Sequence, residues 1–507
     1  MRTTFHLKTL SIAIATLSIA SMTNAAGLDR SGQDVTAFLQ DGTYAETVYT
    51  YIDADVTGYD SADDNPNNNA YVKGNKVGDV AEDYDFFRYG VKTDINDTFS
   101  VGILYDEPFG AAAEYKGDNN FVSMGDINNS IIQMTDGDYN GATLKPTVDF
   151  LAKSARDAAA EAQRLGQLAA TATDPQVAQQ LAQQAQAQQQ AALEFKANAT
   201  KLGTVGAIAQ AEAGNAGENT NVEVRSNNLT AILGAKFGPN KEFQIYGGPV
   251  AQRIEAKVKL RGLAYGPATG YTSNINHDQD YGWIAGMSYS KPEIALKAAL
   301  TYRSEIDHSM NIAETYPLLE QLALAEGAPA AAAKAAANRT SKMEISTPKS
   351  VNFDFQTGIN PTTLATAKVR WVPWGDFAIT PPLYNEVSKR NPAYGPGGLD
   401  LVEYSDDQWQ VELGLAKRIA PALAVSGTVG WDSGSGDPTT SLGPIDGYYS
   451  VGLGAKYNVT ENWAVSAGGK YLWFGDAKGQ LPTGKLVGDF QDNDGYILGA
   501  KISYQGK

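Results

Sequence analysis

The sequence predicts an all-β chain, a 14-stranded antiparallel transmembrane β-barrel with α-helical insertions in its outer loops. Three features predict it. Short segments recur in which apolar side chains alternate with polar or small ones, the period of a strand with lipid on one face and a lumen on the other. Their connections alternate between tight turns and long loops, as in a barrel with periplasmic turns and outer loops. A secretory leader stands in front of them. Arg2 and Lys8 supply a positive start, Leu10 to Ala20 an apolar run and Thr23-Asn24-Ala25 a cleavage site, so residues 1–25 read as a signal peptide.

Composition narrows the function classes. The 507 residues contain no cysteine, which rules out disulfides and thiolate metal sites, and only three histidines, of which His6 lies in the leader. A formal charge of −17 argues against a nucleic-acid partner, because phosphate binding needs a basic surface. Beyond the leader no stretch offers the ~18 consecutive apolar residues of a membrane helix. The expectation is an exported protein of the outer membrane of a Gram-negative bacterium that crosses with strands and carries no metal and no cofactor.

In chain order the strand segments lie near 47–59, 85–94, 98–107, 222–237, 242–262, 279–290, 293–308, 345–358, 363–373, 408–417, 422–432, 446–457, 462–474 and 490–504. Their even count suits a bacterial outer-membrane barrel. The alternation is plain where Val451, Leu453, Ala455 and Tyr457 interleave with Gly452, Gly454 and Lys456. Tight turns fall at Ile95-Asn96-Asp97 and Gly238-Pro239-Asn240-Lys241, and long loops at 60–84, 309–344 and 374–407. Aromatic residues at strand ends (Phe99, Phe237, Phe243, Trp371, Trp409, Trp431, Tyr457, Trp463) suit interfacial girdles. The fifth segment changes phase. Phe243 and Ile245 are odd, whereas Val250, Ile254, Ala256, Val258 and Leu260 are even, so a bulge is expected at Gly247-Gly248-Pro249.

Residues 146–213 leave β-character for Ala, Gln, Glu, Lys and Leu. Pro146 is read as opening one helix, near 147–171. Asp174-Pro175 reads as the N-cap and first turn of another, near 175–210. A second Ala-rich insertion is expected near 316–338. In the loop before the second strand, Asp60, Asp63 and Asp64 with Asn65 and Asn67 to Asn69 read as an exposed, solvated acidic stretch.

Several phrases in this order resemble the FadL-type long-chain fatty-acid transporters, the outer-membrane transport protein family. They are Ala26-Gly27-Leu28-Asp29-Arg30-Ser31-Gly32 after the leader, Tyr105-Asp106-Glu107-Pro108-Phe109-Gly110 ending strand three, and Thr301-Tyr302-Arg303-Ser304 on strand seven. Thr347 to Asn352, Trp371 to Trp374 and Gly443-Pro444-Ile445-Asp446 complete the set, and together they cover most of the chain outside the helical insertions. The resemblance implies a monomer whose N-terminal segment, here 26–46, folds inside the lumen as a hatch, ahead of a barrel over 47–507. It implies a kinked third strand at Pro108, Phe109 and Gly110 that opens the wall sideways. Proline removes a ladder donor there and glycine permits the bend. It also implies hydrophobic substrates, long-chain fatty acids or, in some members, aromatic hydrocarbons. The hatch departs from the family in lacking an Asn-Pro-Ala phrase, reading Phe38 to Glu46 instead.

Strand phase places many cations in the lumen of this acidic protein: Arg88, Lys92, Lys236, Arg253, Lys257, Lys259, Arg261, Lys297, Arg303, Lys368, Arg370, Lys456, Lys470 and Lys501. Such an interior attracts a carboxylate, which arginine can hold through two parallel hydrogen bonds. The candidate ligand-binding residues are Arg253, Lys257, Lys259, Arg261 and Arg303. Phe38, Leu39 and Phe109 are candidates to line an apolar slot. The competing reading pairs lumen cations with the hatch acids Asp29, Asp34, Asp41 and Glu46. The expected function is passive uptake of a hydrophobic small molecule, with outer-membrane lipid and lipopolysaccharide as the other partners. A hydrocarbon channel and a surface adhesin using the helical hairpin are alternatives. An enzyme is disfavoured, since only His277 and His308 remain as bases.

Overall fold

The structure is a computed structural model that describes residues 28–65 and 69–506. The predicted leader, hatch residues Ala26 and Gly27, and loop residues Asn67 and Asn68 lie outside these. Fourteen strands form one closed antiparallel barrel: β1 (Tyr44–Asp55), β2 (Tyr84–Asp94), β3 (Phe99–Asp106, resumed as Gly110–Glu114), β4 (Asn221–Phe237), β5 (Phe243–Lys259), β6 (Thr272–Lys291), β7 (Leu296–Arg303, resumed as Ile306–Thr315), β8 (Asn338–Thr347, resumed as Ser350–Asn360), β9 (Thr363–Val372), β10 (Gln408–Arg418), β11 (Leu423–Asp432), β12 (Tyr448–Asn458), β13 (Trp463–Phe474) and β14 (Asp494–Gln505). β14 closes on β1 from Tyr44↔Gln505 to Asp55↔Asp494, so no sheet edge is left. Every one of the fourteen predicted segments overlaps one of these strands.

Alternation explains why these residues pair this way. In β14, Leu498 and Ile502 are exposed, whereas Ile497, Lys501 and Ser503 in the alternate phase are buried. Around the barrel such outward apolar side chains form a continuous belt. Aromatic pairs stand at its two rims, among them Trp371–Trp409 at 6.3 Å between ring centroids and Phe237–Phe243 at 5.5 Å. A belt of that extent is a lipid-facing surface. Among the described residues no helix is long and apolar enough to cross a membrane.

On one side the wall rises well past the belt. β6 starts seven residues before its predicted segment, β7 ends seven after, and β8 starts seven before. The outward residues of these extensions are polar, such as Asn274, Asn276, Ser309, Lys342 and Glu344. The apolar alternation that marks a membrane strand is therefore missing there.

The expected phase change in β5 does not occur. The β4–β5 ladder pairs Leu233 with Gly247 and Thr230 with Val250, two residues intervening on each side, so nothing is inserted. Gly248 serves close approach instead, since a Cβ there would lie 1.9 Å from the Ala231 carbonyl oxygen. Val250, Ile254 and Val258 point inward, because the upper lumen is filled with apolar side chains and the outer surface at that height meets water. The environment inverts and the register does not.

Between β3 and β4 lie α1 (Ile127–Met134), α2 (Gly141–Thr171) and α3 (Pro175–Ala213); α4 (Pro317–Ala325) and α5 (Ala330–Ala337) precede β8. Asp174 caps α3, accepting from the Gln176 N–H at 2.8 Å. The helix α2 does not open at Pro146. Asn140 caps it through a reciprocal box with Thr143, so Pro146 sits inside the helix. The hairpin is rooted by Glu212, which accepts from Thr269 Oγ1 at 2.7 Å, Met124 N at 3.0 Å and Ser123 Oγ at 3.1 Å. Above the lumen, loop segments Gly58–Ser61, Lys73–Val77, Thr439–Thr440, Ala477–Gln480 and Leu486–Phe490 form a five-stranded roof. The acidic stretch expected in solvent is partly buried here. Asp60 accepts from the Asn75 and Asn120 amides, and Asp64 from Asn120 Nδ2.

Candidate functional site

Residues 28–43 fold into the lumen and are held by its cations. Asp29, fully buried, accepts from Arg370 Nε at 2.6 Å and Nη2 at 2.9 Å, the two-bond geometry of a guanidinium on a carboxylate. Asp34 lies 3.1 Å from Lys368 Nζ and 3.6 Å from Arg88 Nη1. Burial opposes charge on Asp34, but Lys368 and Arg88 outweigh it and hold the carboxyl well below the usual carboxylate range. Lys297 Nζ donates to the Leu39 carbonyl, and Lys501 meets Glu46 at 3.2 Å. Arg88, Lys297, Lys368, Arg370 and Lys501 thus seat the hatch and the strand that follows it.

The third strand breaks at Glu107, Pro108 and Phe109. Asp106 pairs with Asn228 and Gly110 with Arg225, so β3 spends one more residue than β4 across the break. The Phe109 amide is taken up by Ser226 Oγ at 2.8 Å. On its other side the break pairs with the hatch: Arg30 N–H donates to the Pro108 carbonyl at 2.7 Å and Gly110 N–H to the Leu28 carbonyl at 2.8 Å. The β2–β3 ladder meanwhile ends at Tyr89↔Tyr105 and resumes as a single bridge at Ala81↔Ala113. A seam runs between. Arg30 fills it, with its guanidinium 3.7 Å over the Tyr84 ring of β2 and so close to Gly110 that a Cβ there would lie 2.3 Å from Cζ.

Directly above, an apolar pocket with about 50 Å³ of free space is bounded by Leu28, Gly110 to Ala113, Val222, Val224, Val258, Ile379 and Leu442. The wall just past the break is thus also a wall of the cavity.

The predicted site residues separate. Arg303 is buried in the lumen. Its Nη1 donates to Thr230 Oγ1 at 3.1 Å, while Nε and Nη2 donate to no protein atom among the described residues. Asn228 Nδ2, on the same face of β4 as Thr230, is likewise unmatched. The placement of Arg253, Lys257 and Lys259 in the lumen is overturned. They follow the outward phase of β5, with Arg253 and Lys257 exposed and Lys259 half-buried 3.8 Å from Glu218. Lumen placement rested on the phase change that does not take place. Arg261 is buried in structural bonds to Glu218 and to the Leu260 and Tyr271 carbonyls. Phe38 and Leu39 pack in a separate cluster lower in the barrel, Phe38 at 5.6 Å from Tyr246. Phe109 packs edge-on against Trp374 at 5.7 Å rather than along the cavity. Arg30 and Tyr84 were missed by strand phase. The available signal was that Arg30 is the sole Lys or Arg in residues 26–46.

The arrangement offers an apolar compartment, the buried cation Arg30 beside its lining residue Gly110 and a seam leading sideways through the wall. No family model matches the sequence, and no curated protein matches it. Among solved structures, a FadL homologue of Pseudomonas aeruginosa is similar at 12% identity and a TM-score of 0.57, over 95% of this chain and 96% of that one. The P. putida toluene transporter TodX matches at 11% and 0.48, over 97% and 94% of the two chains. The Ralstonia pickettii toluene transporter TbuX matches at 10% and 0.45, over 95% of each. The first of these likenesses shows a shared fold along nearly the whole chain.

Proposed function

We propose that this chain, a barrel of the FadL fold, carries hydrophobic small molecules passively across the outer membrane, and that long-chain fatty acids are its substrates. The observation that carries the reading is the apolar cavity whose wall includes Gly110 to Ala113, immediately past the break in β3. An acyl chain would enter by displacing lining side chains and would be stabilised there by burial, at about 25 cal/mol per Å² of apolar area. Its carboxylate would be received by Arg303, whose Nε and Nη2 have no protein acceptor among the described residues, or by Arg30, which abuts the lining residue Gly110. Release would follow the β2–β3 seam sideways once Arg30 swings off Tyr84. The chain would do no covalent chemistry. The aliphatic lining also suits an uncharged hydrocarbon, which makes hydrocarbon uptake the second reading.

The test is a titration of full-length protein, refolded in detergent free of host lipid, with a fluorescent long-chain fatty acid. Oleate, an alkylbenzene and a neutral sugar serve as competitors. Displacement by oleate, weakened in Arg303→Ala or Arg30→Ala, supports fatty-acid transport. Displacement by the alkylbenzene alone moves the reading to hydrocarbons. An absence of saturable binding removes transport through this cavity.

A further inference from the structure

The wall has a second seam, between β6 and β7. Their ladder runs from Leu296↔Lys291 to Arg303↔Ile284 and resumes at Ile312↔Ile275. Between these, residues 276–282 face 305–311 with no ladder pair among the described residues. On its other side β6 stays paired with β5 but carries an extra residue, since Ile254 pairs with Asp278 and Ala256 with Ile275. That bulge keeps Ile275 and Asp278 on the same, inward face.

The bulge brings Asp278 and Asp280 of β6 to His308 of β7, and one ligand atom of each lies within 4.8 Å of the others. His308 is 1% exposed. Its Nε2 is 3.0 Å from Gln252 Oε1, and its Nδ1 is 3.4 Å from Asp278 Oδ2. Gln252 is itself fixed. Its Oε1 accepts from Thr347 Oγ1 at 2.6 Å, and its Nε2 donates to Asn228 Oδ1 at 2.9 Å. An amide oxygen only accepts, so Nε2 carries the ring proton and Nδ1 turns toward the two carboxylates. A histidine that ligates metal is held in this way, with one nitrogen donating to a fixed oxygen and the other aimed at the ion.

We propose that Asp278, Asp280 and His308 bind a divalent transition metal and so clamp β6 to β7 where the ladder is missing. One imidazole and two carboxylates suit Zn²⁺, Mn²⁺ or Co²⁺, whereas Ca²⁺ takes about six to eight oxygens. An ion ~2.1 Å from each donor draws the three groups inward by about an ångström. Asp278, whose side chain is 28% exposed, has room to rotate. The arrangement that competes is an imidazolium paired with Asp278 and no metal. The clamp does not depend on what the barrel transports.

The experiment uses full-length protein in detergent, treated with EDTA, dialysed, and titrated with Co²⁺ by visible absorption and with Zn²⁺ by calorimetry. One ion per barrel is expected, with the His308 ring resonances shifting on binding. Affinity should fall about tenfold or more in Gln252→Leu, further in Asp280→Asn, and be lost in His308→Gln. Heat-dependent gel migration confirms that each variant is folded, and the conservative Asp280→Asn decides the matter if His308→Gln does not fold. No stoichiometric binding of Zn²⁺, or binding that folded variants leave unchanged, overturns the clamp and leaves the ion pair.

Discussion

Lumen cations differ in what their donors meet. Arg370 gives Nε and Nη2 to Asp29, whereas Arg303 keeps the same two nitrogens without a protein acceptor among the described residues. A hydrogen bond to a charged group contributes about 1.5–3 kcal/mol. Arg303→Ala should therefore weaken fluorescent fatty-acid binding by roughly 10–100-fold, while the outward Arg253→Ala leaves it unchanged. Asp64 in the roof behaves differently. Burial, aided by Asp60 and Asp63 and opposed by Lys485, pushes its carboxyl up to about 7. Its unfolded value is near ~3.9, so folding takes up a proton. The stability this gives the roof is full below the unfolded value and is lost as pH rises through about 7. Amide exchange over residues 58–77, corrected for intrinsic rates, should be faster at alkaline pH, and Asp64→Asn should flatten that dependence.

At the scale of elements, the broken third strand was legible as Glu107-Pro108-Phe109-Gly110, because proline and glycine are local punctuation. What fills the break was not legible, since Arg30 reaches it from a segment some eighty residues away in the chain. A Cβ at Gly110 would meet Arg30 Cζ at 2.3 Å. Gly110→Ala should therefore push the guanidinium off Tyr84, a contact worth about 0.5–2 kcal/mol. The expected outcome is faster uptake of a labelled fatty acid by cells; unchanged or slower uptake counts against Arg30 as the closure. The helical hairpin is a separable element, with exposed flanks and its roots at Glu212. Replacing 150–199 with a short linker, which spares the buried ends Leu144 and Val205 to Glu212, should leave the barrel heat-modifiable on a gel, and a loss of adhesion with uptake intact would assign the hairpin a surface role.

For the whole molecule, the hatch and the barrel are joined through buried ion pairs. Removing one partner of such a pair costs about 3–5 kcal/mol. Asp29→Ala should loosen residues 28–43, read as a raised single-channel conductance in planar bilayers; Arg370→Ala should do the same, and the double variant should add little. By itself the sequence determined the barrel, its strand count, its girdles and the places of its insertions. Period-two alternation against a uniform lipid exterior is local information, repeated in every strand. Only the tertiary structure decided which way Arg253 and Lys257 point, because the apolar face of β5 turns from lipid to lumen once the wall clears the membrane. It also decided which cations the hatch engages and which seam Arg30 fills. Those outcomes depend on contacts between segments far apart in the chain, whose geometry exists only when the barrel has closed around the hatch.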